Sequence, residues 1–287
     1  MKRYIFTVML IAVIVTLPHE AFAGAWTVPK YKIWSELYMK ATWAKEQFAA
    51  NGDREQMPRD ATSWGWEIEP KFEYGVTDWL NALCSFNFFE SHYEEHDRPA
   101  TWGSFAVKNN GMKVFTIGGK ARFVQKPIVG TIQIKGYVWP GYDSSKPSSA
   151  GKGDDALEIR GILSKSFNLP LGYKNLSFPS YLSVESGYRW RNKDVANDIP
   201  FFIECGTSPV KWLQLKSELD IVKSHAHTGK QYEDYAVWRS GVIFMVFGDS
   251  VKRNGIIFNI ECDYGSVVWG KNTTANQEII IKVQTQF

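Results

Sequence analysis

Charged side chains recur at every second position in several segments of the sequence, a spacing that could place them on one wall of a pore. In segment 64–75, Glu67, Glu69, Lys71 and Glu73 alternate with aromatic and apolar residues. A helix would scatter these charges around its circumference, whereas a strand sorts them onto one face. Such a face can select ions and polar solutes. The predicted pore-lining residues are Glu67, Glu69, Lys71, Glu73, Lys120, Arg122, Lys135, Glu158, Arg160, Glu185, Arg189, Arg191, Lys216 and Glu218.

The signs of these charges leave two arrangements open. Acids gather on segment 64–75, and bases gather at Arg122, Arg160, Arg189 and Arg191. If the two groups face each other across a lumen, they create a transverse field that orients dipolar solutes. If neighbouring strands pair the charges instead, they form a network that fills and blocks a small barrel.

Histidines provide two further candidates for chemistry. The triplet 225–227, His-Ala-His beside Ser224, could serve a barrel lipid hydrolase, but it lacks the His-x-Ser-Asn arrangement of barrel phospholipases. In 91–97, an extended chain would put His92, Glu94 and His96 on one side, where they could hold a divalent metal. We interpret both segments as solvated outer loops, and we expect no enzyme activity, catalytic residue, resident metal or cofactor.

The elements that position the charges are strands throughout. The sequence predicts a single all-β domain, a twelve-stranded antiparallel up-and-down transmembrane barrel over 24–287. Its predicted strands are 33–44, 64–75, 80–91, 112–123, 128–139, 156–167, 180–191, 201–207, 212–222, 235–247, 256–268 and 278–287. Connections at 75–79, 124–127, 207–211 and 248–255 are comparatively short, with 168–179 as a long exception. Polar stretches at 46–63, 92–111, 140–155, 192–200, 223–234 and 270–277 are longer.

The other face of these strands explains why the sheet should close in a membrane. The sequence has 12 Trp, 13 Tyr and 18 Phe, and many of the Trp lie near predicted strand ends, where indole rings favour the membrane interface. In hydrocarbon an unpaired sheet edge costs several kcal/mol for each orphaned amide, and closure removes that edge. A soluble periplasmic β-sandwich is the fold-level alternative.

The N-terminus and the composition restrict the location and the partners. Segment 1–23 has a basic start, an apolar stretch and a final Ala-Phe-Ala, the pattern of a cleaved signal peptide. The formal charge of +3 comes from 33 basic and 30 acidic residues, so no nucleic-acid partner is expected. Cys84, Cys205 and Cys262 show neither the even count of a disulfide framework nor a zinc-site spacing, and we expect them to face lipid.

Two features carry a family resemblance. The signal peptide, the alternating strands and the terminal Phe287 together resemble Gram-negative outer-membrane β-barrel proteins of the porin type. That resemblance implies an outer-membrane location, contact with membrane lipid and lipopolysaccharide, and recognition of the C-terminal strand by the barrel-assembly machinery. The segment 73–80, Glu-Tyr-Gly-Val-Thr-Asp-Trp-Leu, is similar to a repeating element of channels associated with phenol-degradation pathways, although those often carry a basic residue where Trp79 stands.

These observations favour a passive channel for small polar or amphipathic solutes. The alternative is a closed structural or adhesive barrel whose outer loops bind a partner, a surface glycan or a metal. A barrel lipid hydrolase is a third, weaker alternative.

Overall fold

Twelve antiparallel strands form a closed barrel in the computed structural model. The structure describes residues 25–96, 105–139, 155–170, 177–192, 195–225, 232–247 and 256–287. Its strands are β1 (Ile33–Ala44), β2 (Glu46–Phe48), β3 (Arg54–Gln56), β4 (Thr62–Gly75), β5 (Leu80–Glu95), β6 (Phe105–Val124), β7 (Val129–Val138), β8 (Ala156–Pro170), β9 (Ser177–Arg191), β10 (Asn197–Val210), β11 (Leu213–His225), β12 (Asp234–Phe247), β13 (Ile257–Lys271), β14 (Thr273–Thr274) and β15 (Gln277–Gln286). This architecture confirms the predicted fold class and excludes a sandwich.

The barrel closes between its first and last strands. Around the ring the order is β1-β15-β13-β12-β11-β10-β9-β8-β7-β6-β5-β4, and β1 pairs with both β15 and β4. The closing ladder reaches the last residue, because Ile33 and Phe287 exchange two backbone hydrogen bonds of 3.0 Å. Each barrel strand therefore has two neighbours, and the sheet has no open edge.

The two faces of β4 show how the sequence pattern becomes an outside and an inside. Trp66, Ile68 and Phe72 are exposed at 38%, 36% and 44% on the outer face. Glu67 and Lys71 lie between them in sequence and pair with charged groups on the other face. Because successive strand residues point to opposite sides, the alternation puts apolar rings toward lipid and charges toward the lumen.

A small second sheet lies at the outer end of the barrel. Its strands run in the order β14-β2-β3, and a short 3-10 turn, Pro58–Asp60, follows β3. Phe48 of β2 packs against Val237, Val267 and Ala275, so this sheet covers part of the outer mouth. The segment 46–63 therefore has structure of its own, where the sequence predicts a loop.

Several strands extend beyond their predicted ends. β10 runs over Asn197–Val210 rather than 201–207, β5 continues to Glu95, and β6 already begins at Phe105. The polar residues at these ends interrupt the apolar alternation, yet backbone pairing continues because it does not depend on the side chains. The N-terminal 1–24, including the predicted signal peptide, most of 140–155 and all of 248–255 lie outside the described residues.

No helix within the described ranges is long and apolar enough to cross a bilayer.

Candidate functional site

The acids of β4 pair with lysines of neighbouring strands. Glu67 accepts a 2.6 Å hydrogen bond from Lys113 Nζ and lies 3.2 Å from Lys40 Nζ. Glu73 lies 2.8 Å from Lys120 Nζ. All five side chains are less than about a quarter exposed, so these contacts are shielded from bulk water.

Glu69 and Lys71 lie between Glu67 and Glu73 on the same face of β4, and they are paired in the same way. Lys71 Nζ lies 3.0 Å from Glu36 and 3.6 Å from Glu69, and it sits 4.5 Å from the centre of the Tyr38 ring. Ser85 Oγ donates a 2.7 Å hydrogen bond to Glu69. The acids that cluster on β4 are therefore neutralised by lysines of the same barrel wall.

The opposite wall neutralises its arginines in the same way. Arg160 lies 3.0 Å from Glu158 and 2.9 Å from Glu185. Arg189 lies 2.6 Å from the second oxygen of Glu158, whose side chain is only 1% exposed. Since these charges find partners on their own strand or on strands close by in the ring, the structure has an ion-pair network rather than a wall of acids facing a wall of bases.

Asp198 completes this wall and is absent from the predicted pore-lining set. Its carboxylate lies 2.7 Å from Arg191 and 3.4 Å from Arg189 and is fully buried. The prediction placed 192–200 in an outer loop, but β10 begins at Asn197. In the Asp-Ile-Pro-Phe sequence at 198–201, Ile199 and Phe201 are two residues apart, as on one face of a strand. This spacing was the available signal that β10 starts before Phe201.

The densest group of charges surrounds Lys216. Its ammonium contacts Glu218 and Glu261 directly and lies 3.5 Å from Asp263 and 3.7 Å from Glu204. Glu204 and Glu218 face each other in the register of β10 and β11. Two like charges in that position repel each other, so the lysine between them is what makes the pairing tolerable.

Lys282 supplies a second ammonium to the same group. Its Nζ lies 2.5 Å from Glu261, 3.2 Å from Asp263 and 3.8 Å from Glu218. One ligand oxygen from each of these three acids lies within 4.8 Å of the others, a spacing that suits a metal ion. Lysine ammoniums already occupy that charge-compensating role, so we assign the cluster to the ion-pair network.

Arg122 and Lys135 are the remaining bases of the predicted pore lining. Arg122 lies at the periplasmic end, where its Nη2 donates a 2.7 Å hydrogen bond to the backbone carbonyl of Asp78. Lys135 lies on β7 and has no carboxylate within ion-pair distance among the residues that the structure describes. It is therefore a lysine whose charge remains available to the lumen.

Two more inward charges lie outside the predicted pore-lining set. Lys113 lies at a bulge in β6, where Asn87 pairs with Val114 but Phe88 pairs with Met112. The extra residue changes which side chains point inward, and a period of two cannot reveal that. Glu278, whose Oε1 lies 2.5 Å from Arg239 Nε, was assigned to the inward face of β15 but not singled out.

A chain segment crosses the periplasmic half of the lumen. Ala25 accepts a hydrogen bond from Thr131 Oγ1 of β7, and its N–H donates a 3.3 Å bond to Ser164 Oγ of β8. Trp26 packs against Tyr181 of β9, which lies opposite β1 in the ring. The chain must return to β1 at Ile33, so the segment Ala25–Lys32 spans the barrel.

The turn after β4 anchors the other end of this crossing segment. Thr27 Oγ1 donates a 2.8 Å hydrogen bond to the Asp78 carbonyl, and Asp78 Oδ1 accepts a 3.1 Å bond from the Lys30 N–H. A Cβ atom built on Gly75 would come within 2.0 Å of the Pro29 carbonyl oxygen. Glycine at this position is thus required for the segment to lie against β4. No periodic pattern in the sequence predicts this arrangement.

The outer half of the lumen contains a cavity of about 680 Å³. It opens between β1, β11, β12, β13 and β15 and the small outer sheet. Its lining residues are Lys40, Thr42, Gln47, Phe48, Ala49, Ala50, Glu55, Asp220, Glu233, Tyr235, Val237, Arg239, Val267, Asn272, Thr273, Thr274, Asn276 and Glu278. We call this cavity the outer vestibule.

His92 lies on β5 and His225 on β11 rather than in loops, while His96 directly follows the end of β5. His92 stacks on Trp64 with ring centres 3.7 Å apart, and its Nε2 lies 2.7 Å from Glu90. His96 Nε2 lies 3.0 Å from Thr62 Oγ1. His225 ends β11, while Ala226 and His227 lie outside the described residues.

The three cysteines are free, as the sequence suggests. Cys205 and Cys262 are exposed and Cys84 is half-buried. Cys205 pairs in register with Leu182 and Cys262 with Ile281, and both of these partners are exposed apolar residues. The two cysteines therefore belong to the outward, lipid-facing side of the barrel.

Comparison with known proteins gives a fold but no family. No family model matches the chain, and no curated protein matches its sequence. The solved structure of the COG4313 outer membrane channel from Pseudomonas putida F1 is similar over 93% of this chain and 100% of that chain, with 11% sequence identity and a TM-score of 0.66. This chain has the fold of an outer-membrane β-barrel.

Two other solved barrels are similar at lower scores. The transport unit of the autotransporter AIDA-I from Escherichia coli matches over 97% of this chain and 96% of that chain, with 7% identity and a TM-score of 0.48. The anion-selective porin from Comamonas acidovorans matches over 89% of this chain and 98% of that chain, with 8% identity and a TM-score of 0.35.

Proposed function

We propose that this protein is a passive outer-membrane channel for small polar or amphipathic solutes. The observation that carries the proposal is the outer vestibule, about 680 Å³ of space inside the lumen of a twelve-stranded barrel. A barrel that served only as a structural support would gain stability by filling this space with side chains. The vestibule is also large enough for a small organic molecule.

The predicted pore-lining charges support a polar path through the lumen. The side chains of Glu67, Glu158 and Lys216 lie on the inward face and belong to the ion-pair network. The crossing segment Ala25–Lys32 narrows the periplasmic end of this path. Hydrogen bonds and apolar packing hold it against the far wall, and its peptide bond to Ile33 joins it to β1.

The location and partners follow from the same proposal. The exposed aromatic and aliphatic side chains of the outer face suit contact with lipid and lipopolysaccharide. The C-terminal strand ends at Phe287, which is 52% exposed and available for recognition by the assembly machinery before the barrel closes. An N-terminal signal peptide would deliver the chain across the inner membrane.

Planar-bilayer recording of the purified full-length protein tests the channel. We expect discrete current steps as single barrels insert. Insertion is monitored separately, by the boiling-dependent migration of reconstituted protein on a detergent gel. Folded barrels that insert repeatedly without any current would contradict the channel and favour a closed barrel whose outer loops bind a partner.

A further inference from the structure

The outer vestibule has one apolar wall. Phe48, Val237, Val267 and Ala275 form a buried cluster there, and Tyr235 packs against it. Phe48 comes from the small outer sheet, whereas the two valines come from the lumen face of β12 and β13. Phe48, Val237 and Val267 are mostly buried against one another, and the edge that they present to the vestibule together with Tyr235 can contact the apolar part of a solute.

The charged wall of the vestibule is predominantly acidic. Its acids are Glu55, Asp220, Glu233 and Glu278, and its bases are Lys40 and Arg239. Both bases are already committed, because Lys40 lies 3.2 Å from Glu67 and Arg239 Nε lies 2.5 Å from Glu278. The vestibule therefore offers no uncommitted base to an anion.

Two of the acids have unused hydrogen-bonding capacity. Asp220 makes one ion pair, with Arg239 Nη1 at 3.6 Å, and this distance is too long for a hydrogen bond. The Glu233 side chain has no hydrogen bond or ion pair with any residue that the structure describes. Glu55 accepts a 3.0 Å hydrogen bond from Gln47 and is exposed at the mouth.

Asp220 on β11 and Glu233, which directly precedes β12, lie at different depths in the vestibule. Tyr235 lies between them. Asp220 pairs in register with Val237, four residues after Glu233. Four residues of an extended strand span about 13 Å. Glu233 therefore lies toward the mouth and Asp220 lies deeper, level with the apolar wall.

We propose that the outer vestibule is a binding site for small organic cations with an apolar body. The ammonium of the solute pairs with Asp220, its apolar part packs on Phe48, Tyr235 and Val237, and Glu233 attracts it to the mouth. The face of the Tyr235 ring adds a cation–π contact. This site rests on the proposed channel function and gives it a substrate class.

A bare metal ion fits this arrangement less well. A hard cation needs several oxygens within about 2.6 Å, which acids about 13 Å apart along the strands do not provide. A metal ion would also leave the apolar wall without a role. The separation of acids and apolar side chains matches a molecule with a charged head and an apolar body.

The probe is 2-phenylethylammonium, compared with 3-phenylpropionate, which has a similar apolar body and the opposite charge. Calorimetric titration of the full chain in detergent measures both affinities without requiring any current. We expect the cation to bind at least about tenfold more tightly than the anion. Equal affinities in the unmodified protein would overturn the site, whatever happens to any variant.

Two variants locate the binding. Asp220→Asn keeps the size of the side chain and removes its charge, and we expect it to weaken 2-phenylethylammonium binding about tenfold. Glu94→Gln is the matched control, because it changes the net charge equally but Glu94 is exposed and does not line the vestibule. It should keep the affinity within about twofold. Unchanged binding in folded Asp220→Asn protein would overturn the role of Asp220.

Failure of this site and failure of the channel are distinguishable. If the protein conducts but 2-phenylethylammonium binds no better than 3-phenylpropionate, the cation site is wrong and the channel stands. If the cation binds through Asp220 but inserted barrels carry no current, the site stands and the channel is wrong.

Discussion

The cluster of charges around Lys216 and the outer vestibule use the same types of residue in opposite ways. In the cluster, Glu204, Glu218, Glu261 and Asp263 surround Lys216 closely, and elsewhere in the lumen the crossing segment occupies space between the walls. In the vestibule, a cavity remains open, and the acids lining it include some without a hydrogen bond.

This difference separates structural charge from available charge. A buried carboxylate that already has its ammonium cannot respond to a solute without breaking a pair, which is costly at low dielectric. Asp220 has a 3.6 Å ion pair with Arg239 but no hydrogen bond to it, and its side chain is 30% exposed, so its carboxylate can accept a hydrogen bond from a solute without losing one. Solute recognition is therefore expected in the outer vestibule, while the crossing segment controls passage.

The largest effect is expected from opening the crossing segment. Replacing Trp26, Thr27 and Val28 together with glycine removes the packing on Tyr181 and the hydrogen bond to the Asp78 carbonyl. We expect single-channel conductance to rise by about threefold or more, because the narrowest part of the path widens. The measurement is current through single barrels in planar bilayers.

Asn51→Gly is the control, because it also introduces glycine but lies in an exposed turn remote from the crossing segment. It should leave the conductance unchanged. If the triple glycine variant folds and conducts like the original protein, the segment does not limit the path, and its contrast with the open vestibule loses its functional meaning.

The second prediction compares two lysines with different surroundings. Lys216→Met leaves four carboxylates with too few cations and should lower the free energy of unfolding by about 3–5 kcal/mol. Lys135→Met removes an ammonium that has no carboxylate at ion-pair distance in the described part of the barrel. It should change stability by less than about 1 kcal/mol.

Urea unfolding of the detergent-solubilised variants, followed by tryptophan fluorescence, measures both values. Similar losses for the two variants would mean that burial of the lysine stems, rather than ion pairing, supports the lumen wall. That result would remove the distinction between structural and available charge.

The smallest expected effect is on ion selectivity. Lys135→Glu reverses an available charge without breaking an ion pair in the described structure, so we expect the reversal potential in a salt gradient to shift toward cation preference by a few millivolts. Exchange of Arg189 and Arg191 for Glu tests selectivity less cleanly, because it also strands Glu158 and Asp198. An unchanged reversal potential in Lys135→Glu would place Lys135 away from the ion path.

The sequence predicts features that depend on the local alternation of residues, and it misses features that depend on bulges or on pairing between strands. The alternation in β4 correctly assigned Glu67 and Phe72 to opposite faces, because a strand enforces a period of two. The same rule missed Lys113, since a bulge inserts one residue and resets the period. Asp198 was missed because polar residues at the outer end of β10 resemble a loop until their backbone pairing is seen.

By itself, the sequence determined a twelve-stranded barrel with apolar rings outside and charges inside, because alternation along each strand is a local property. Only the tertiary structure decided which charges neutralise one another, since ion pairs form between strands whose register and bulges the pattern does not contain. The same applies to the crossing segment and the outer vestibule. Both arise when chain segments far apart in sequence, Ala25 with Ser164 and Phe48 with Val237, meet inside a closed wall.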